Sequence, residues 1–306
     1  MTRVLHVIGA PSSAGAYAPG QERGPEALRE AGLLDRLRAR GVAVDDRGDV
    51  PGFRWRVDRD HARAMNSEPA LAVAGAVANE VAESLADGAA VLVLGGDCTI
   101  EIGTVAGASK GSTRVGLVYV DLDADLNTPE TTEDGALDWM GVAHLLGLPG
   151  TVPALGSLGS RRPMLSPDEI MLFAVDNITP AERAVIDTHG IATVPYADVK
   201  ADPAGTARRV VEAWAPRFER LLVHVDVDVL DYLDLPIAEE TRRNRGLRFD
   251  QLVTALRVLI AAPNWVGLTV CEINPDHGER DGSTLETLCD GLADVLSSLG
   301  TAAARS

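Results

Sequence analysis

Runs of apolar, β-branched residues alternate with amphipathic helical stretches along the whole chain, and no other feature restricts the fold as much. The runs fall at Arg3–Ile8, Ala90–Leu94, Arg114–Asp121, Glu169–Val175, Ala192–Pro195, Arg220–Asp226 and Val266–Ile273. Helical patterns lie between them at Pro25–Ala39, Glu68–Leu85, Ile100–Ala106, Pro180–Thr188, Ala204–Trp214, Phe249–Ala262 and Ser283–Leu299. Runs such as Leu221–Val225 and Val266–Val270 lack the alternation of half-exposed strands, so they read as strands covered on both faces. Alternating βα units imply an α/β fold with a mostly parallel sheet and helices on both sides. No internal repeat or low-complexity linker divides the sequence, and a single domain over residues 1–306 is expected.

Composition narrows the function classes. Of 306 residues, 46% are hydrophobic and 24% charged, enough apolar material for a full core. Acids outnumber bases 45 to 28, for a net charge of −17, which argues against a nucleic-acid binder. No apolar run is long enough for a membrane-spanning helix. The opening residues read as a short strand entering a Gly/Pro loop, without a signal peptide's apolar segment, so a cytoplasmic location is the default expectation. The three cysteines, Cys98, Cys271 and Cys289, are too few for a disulfide framework.

Open α/β sheets build their sites beyond the carboxyl ends of the strands, and the unusual residues cluster there. Gly95-Gly96-Asp97-Cys98 follows one strand, and Asp121-Leu122-Asp123-Ala124-Asp125-Leu126-Asn127 follows another. Asp226-Val227-Asp228 and Glu272-Ile273-Asn274-Pro275 follow two more. Alternate residues of a strand share a face, so Asp121, Asp123 and Asp125 should point together, as should His224, Asp226 and Asp228. Five carboxylates aimed from two strand ends repel one another unless a cation lies among them. Oxygen-rich sets of this kind suit Mg²⁺, Mn²⁺ or Ca²⁺. A carboxylate bridging two ions would give the two-metal arrangement that activates water.

The order of these four motifs resembles the arginase/ureohydrolase family. The opening from Ile8 to Leu34 is more similar to arginases than to agmatinases, and the likeness runs from about Val4 to the last helix. It implies a three-layer α/β/α fold with an eight-stranded, mostly parallel sheet. It also implies a binuclear Mn²⁺ site, hydrolysis of a guanidine or amidine C–N bond by a metal-bound hydroxide, and a homo-oligomer, trimer or hexamer. By the resemblance, Asp121, Asp125, Asp226 and Asp228 match four of the family's six metal ligands, with Asp121 and Asp226 at the bridging positions. Cys98 and Asp123 stand where the family has ligand histidines, and Asp138 where it has a proton-shuttling histidine. Glu272 matches the acid that pairs with the guanidinium. Asn127 matches a position that holds the amino-acid end of arginine, and Asp176 lies near another. Asp134 and Ala136 replace residues that bind the substrate's α-carboxylate.

These replacements shape the expected chemistry. A thiolate binds divalent ions, and Cys98 opens a helix whose positive end favours that form. The alternative is a small buried hydrophobe. Cys271 and Cys289 have no partner at zinc spacing and read as core or surface thiols. His224 either orients a carboxylate from the face it shares with Asp226 or bonds to backbone in the core. Glu101, one helical turn after Cys98, should face solvent.

Five carboxylates and a thiolate outweigh two divalent ions. A retained proton on Asp123 or Cys98, or a substrate cation, would restore balance, and a single occupied site with altered geometry is the third alternative. Asp138 would be a poor shuttle if exposed, since such a group titrates near pKa ~3.9. Burial beside other acids would raise that value. A substrate other than plain arginine is expected, such as N-hydroxyarginine. The rival readings are a catalytically silent family member acting as a binding or oligomer partner, and a regulatory Ca²⁺ or Mg²⁺ module.

Overall fold

The apolar runs become the strands of one eight-stranded sheet in the computed structural model, which describes residues 3–111, 113–132 and 134–301. The strands are β1 (Leu5–Gly9), β2 (Val44–Asp49), β3 (Ala90–Leu94), β4 (Val115–Val120), β5 (Ile170–Val175), β6 (Ala192–Pro195), β7 (Arg220–Asp226) and β8 (Trp265–Cys271). Their order is β2-β1-β3-β8-β7-β4-β5-β6, and every neighbouring pair is parallel. The longer helices are α1 (Ser67–Ala86), α2 (Ile100–Ala108), α3 (Pro180–His189), α4 (Pro203–Ala213), α5 (Phe249–Leu259) and α6 (Ser283–Leu296).

Two apolar layers sandwich the sheet, so β3, β4, β5, β7 and β8 have little or no exposed surface. On one face α4, α5 and α6 join Leu28, Leu33 and Leu37 over Leu92, Val223 and Leu268. On the other, α1 and α2 pack over Val91, Val93 and Leu117. Covering both faces lets each strand be apolar throughout.

Two elements differ from the sequence expectations. β2 reads Val-Asp-Asp-Arg-Gly-Asp and has no apolar pattern because it is an edge strand with four of its six residues exposed. It pairs with β1, and Arg29 clamps it through Asp46 and Asp49. The expected helix Pro25–Ala39 is two helices, Gly24–Glu30 and Leu33–Ala39, parted at Gly32, whose φ of 81° a helix interior does not accept.

α1 and α2 approach at their small residues. A Cβ on Gly103 would lie 2.4 Å from Ala74 O, and one on Gly107 2.5 Å from Ala78 O. Because α2 leads directly out of the β3 turn, this contact fixes the turn carrying Cys98. Gly103→Val should therefore destabilise by about 1–3 kcal/mol, the usual cost of overpacking, read as a lowered urea midpoint. An unchanged midpoint would show that the α1–α2 contact has slack.

Candidate active site

Four adjacent central strands, β3, β8, β7 and β4, deliver the acidic motifs to one end of the sheet. The strands stop at Val120 and Asp226, so the acids do not converge by continued alternation as the sequence suggested. Tight turns bring them together instead. Asp121 Oδ1 accepts from Asp123 N at 2.8 Å, and Asp226 Oδ1 accepts from Asp228 N at 2.7 Å. Asp125 has a φ of 49°, and its carboxylate accepts from the Tyr119 hydroxyl. Glu272, with φ 64°, accepts from Gln21 Nε2 and from Cys98 N, each at 3.0 Å. Asp97 is fully buried and accepts from Gly15 N and Thr99 N, which ties the N-terminal loop to the β3 turn.

The result is a cleft lined by Cys98, Asp123, Asp125, Asp138, Asp226, Asp228 and Glu272, with Tyr17, Trp139 and Glu240 completing its walls. Ligand atoms of Asp121, Asp123 and Asp228 lie within 4.8 Å of one another, as do those of Cys98, Asp226 and Glu272. Among the described residues no hydrogen-bond donor reaches Asp121 Oδ2 or Asp228 Oδ1, although both atoms are buried.

Burial and mutual repulsion push Asp121, Asp125, Asp226 and Glu272 well above the usual carboxylate range. Asp138 is only 8% exposed, so the exposed titration considered for it does not apply. Burial, then Asp97 and Asp125, raise it strongly, which suits a group that holds a proton near neutrality. Burial also pushes the Cys98 thiol up, with Cys271 and Asp226 adding to the effect, and its Sγ lies 3.2 Å from Asp226 Oδ2. In the ion-free protein the helix end therefore does not make Cys98 a thiolate.

The residue that sequence reasoning missed is Arg242. Its Nη1 lies 2.6 Å from Asp123 Oδ2 and 3.4 Å from Asp228 Oδ2, and its side chain is 14% exposed. Burial raises Asp228 to about 7 even though Arg242 opposes the shift. The available signal was the basic run Arg242-Arg243-Asn244-Arg245 in an acidic chain, sixteen residues after Asp226.

Other expectations also change. Glu101 is not solvent-facing: it is 1% exposed, with Oε2 3.3 Å from His224 Nδ1. His224 turns its Nε2 to Cys98 Sγ at 3.4 Å and stacks on Tyr119, and the carboxylate it meets is that of Glu101 rather than Asp226. Cys271 is not an isolated thiol, because its sulfur lies within 4.8 Å of ligand atoms of Cys98 and His224. Cys289 is a buried core thiol against Leu28 O.

Asn127 donates to Glu182 and accepts from Thr131 in an adjoining pocket shared with Asp123, Asp134 and Trp139. Asp134 accepts from Trp139 Nε1 at 3.2 Å. Ala136 is buried, while Asp176 is paired with Arg245 outside the central cleft.

The sequence model of the Arginase family matches residues 3–297. The chain belongs to the arginase family. It is 29% identical to human arginase-1 over 304 residues, covering 98% of this chain and 94% of that protein. It is 31% identical over 282 residues to arginase of Bacillus caldovelox, covering 90% and 93%. The solved structure of that bacterial arginase superposes with a TM-score of 0.88 at 27% identity, covering 96% of this chain and 98% of that one. Proclavaminate amidino hydrolase of Streptomyces clavuligerus, at 19% identity and a TM-score of 0.73 over 98% and 93% of the two chains, shares the fold. The protein is thus an arginase-family hydrolase of guanidino or amidino bonds, on the expected α/β fold. No helix among the described residues is long and apolar enough to cross a membrane.

The buried acids make ion-free stability depend on pH. A carboxyl raised from 3.8 to about 7, as Asp228 is, favours the folded state most below its unfolded pKa and loses that contribution as pH rises through its folded pKa. The melting temperature of metal-free protein should fall between pH 5 and pH 8. Arg242→Met should steepen the fall. At pH 8 it should cost about 3 kcal/mol, the low end for removing one partner of a buried pair, and less at pH 5, where protonation relieves the repulsion. A variant that unfolds like the parent at pH 8 would show Arg242 to be idle.

Proposed function

We propose that this chain hydrolyses the C–N bond of a cationic guanidine or amidine with the help of a divalent metal of the manganese type. The observation carrying the reading is the acid-lined cleft at four strand ends that already encloses a guanidinium, that of Arg242, between Asp123 and Asp228. The donors suit such an ion. They are mainly carboxylate oxygens, and the buried Asp121 Oδ2 and Asp228 Oδ1 carry no donor. Asp121, Asp125, Asp226 and Asp228 would hold it, with Asp121 and Asp226 at the family's bridging positions and Cys98 and Asp123 at the flanks. When bound, the metal would lower the pKa of water for attack on the guanidine or amidine carbon. Arg242 supplies part of the positive charge, so one ion rather than two balances the carboxylates on its side.

The chain's own residues do the remaining work. Glu272, held by Gln21 and Cys98 N, faces the cleft and orients the substrate cation through charge-assisted hydrogen bonds. Asp138, protonated at its raised pKa, donates to the departing nitrogen. Tyr17 and Trp139 narrow the entrance and limit water. The far end of the substrate meets Asn127 and Asp134, with Asp176 further out. Two acids there disfavour an α-carboxylate and suit an amine. The far end therefore favours a guanidine ending in an amine over plain L-arginine, whereas N-hydroxyarginine, which keeps the α-carboxylate, would be favoured only through its more acidic guanidine. A homo-oligomer, trimer or hexamer, in the cytoplasm, with residues 1–306 as one domain, completes the reading.

Turnover compared across L-arginine, N-hydroxyarginine, agmatine and guanidino acids under saturating Mn²⁺ tests this. kcat/KM for L-arginine should be at least tenfold below the best substrate, about 1.4 kcal/mol of transition-state preference. Glu272→Gln should lower kcat/KM for that substrate by roughly a hundredfold, as losing a charged orienting contact does. A tenfold preference for L-arginine would overturn the role given to Asp134. Inactivity of Mn²⁺-loaded protein on the whole panel would return the silent partner as the better reading.

Metal uptake gives a separate check. Mn²⁺ should raise the melting temperature more at pH 8 than at pH 5, since ligand carboxylates must be ionised. Asp226→Ala should abolish the shift. Protein that neither binds Mn²⁺ nor gains stability from it would end the metal assignment.

A further inference from the structure

We propose that Cys98, Cys271 and His224 form a buried nitrogen–sulfur site for a soft divalent cation of the zinc class, beside the carboxylate cluster. The inference deepens the hydrolase reading and rests on it in one respect: it names the class of ion that the Cys98 side takes.

Three strand ends build this site. Cys98 follows β3, His224 lies in β7 and Cys271 ends β8, and β3-β8-β7 are neighbours in the sheet. The three ligand atoms lie within 4.8 Å of one another, with Cys98 Sγ 3.4 Å from His224 Nε2. Ligand atoms about 2.0–2.3 Å from a tetrahedral zinc ion stand roughly 3.4–3.8 Å apart, so little movement closes the set. Asp226 Oδ2, 3.2 Å from Cys98 Sγ, is placed to be the fourth donor.

The surroundings of His224 supply an independent observation. A metal-binding histidine characteristically donates its other ring N–H to a carboxylate, which fixes the ring and raises its basicity. Here Glu101 Oε2 lies 3.3 Å from Nδ1, and Glu101 is 1% exposed with no hydrogen-bond partner for Oε1. Tyr119 holds the imidazole from its face, with ring centroids 4.1 Å apart and planes 9° from parallel. With Nδ1–H given to Glu101, the Nε2 lone pair is directed towards Cys98. Among the described residues, His224 is the side-chain partner of the Glu101 carboxylate.

The donor set selects the ion. Two thiolates and an imidazole suit zinc, whereas carboxylate oxygens suit manganese or magnesium. Binding would expel both thiol protons to solvent, so uptake should weaken as pH falls. Of the three, Cys98 lines the acidic cleft, which gives the ion an entry path.

The test uses full-length, chelator-stripped, reduced protein titrated with Co²⁺ and Zn²⁺, with Mn²⁺ binding followed separately by electron paramagnetic resonance. Co²⁺ should produce sulfur-to-metal charge-transfer absorption with the visible bands of a tetrahedral site. Cys271→Ser should cut the charge-transfer intensity to about half and weaken Zn²⁺ binding by about tenfold or more. Glu101→Gln, which keeps the shape of the side chain, should weaken Zn²⁺ by about tenfold or more while leaving Mn²⁺ binding intact. It is the informative variant should Cys271→Ser fold poorly.

Charge-transfer absorption and Zn²⁺ affinity unchanged in both variants would overturn the proposal, as would its absence in the parent. A Cys98–Cys271 disulfide in the freshly purified protein, seen by mass spectrometry before reduction, would also overturn it. Loss of the cobalt signal with Mn²⁺ binding and turnover preserved refutes this site alone. A cobalt signal without Mn²⁺ binding or turnover leaves this site standing and refutes the hydrolase reading.

Discussion

Repulsion among buried carboxylates is the constraint around which this molecule is arranged. Asp121, Asp123, Asp125, Asp226 and Asp228 are each at most 6% exposed, and water cannot screen them. A set like this persists in three ways: by retaining protons, by binding metal, or by receiving a cation from the chain. The structure shows the third directly, in the guanidinium of Arg242 against Asp123 and Asp228. The elevated titration of the remaining acids reflects the first. Arg242 thus carries part of the role that an ion would otherwise fill, from within the loop that follows β7.

The sheet makes this crowding tolerable. Apolar strands with helices on both faces form a rigid floor, and turns rather than strands carry the acids. Each turn spends a carboxylate oxygen on its own backbone, as Asp121 does with Asp123 N and Asp226 with Asp228 N. The opposite oxygen of Asp121 has no donor among the described residues, and that of Asp226 faces the Cys98 thiol at 3.2 Å. Glu272 is fixed by Gln21 and Cys98, which joins the start of the chain to its last strand.

What was legible in the sequence follows from where the determining forces act. Continuous apolar runs marked six buried strands because double-sided burial leaves no room for polar residues, and the half-exposed edge strand β6 was marked by its short β-branched run. β2 escaped notice because a one-sided edge strand depends on backbone pairing and on Arg29, neither of which leaves a periodic trace. The acidic motifs were legible since each abuts a strand end. Arg242 was not, because its partners lie across a loop whose path no local pattern dictates. Glu101 was misjudged, and the neighbours of the buried Cys271 were missed, for a related reason. Spacing along one helix or strand says nothing about neighbours brought in by parallel pairing, and β3, β8 and β7 come together across 174 residues of sequence between Cys98 and Glu272.

The bond from Gln21 to Glu272 closes a loop of 251 residues. Long-range closures of this kind form late and slowly, because chain entropy must be overcome before the contacts reward it. On the ribosome, where the N-terminus emerges first, the loop that carries Gln21 must wait for β8 before the cleft has all its walls. A nascent or truncated chain lacking the last strand therefore has Asp121 and Asp226 but neither Glu272 nor Cys271. Such a chain presents acids without the groups that shape them into a cleft. The centre is thus complete only once the last strand has paired with the rest of the sheet.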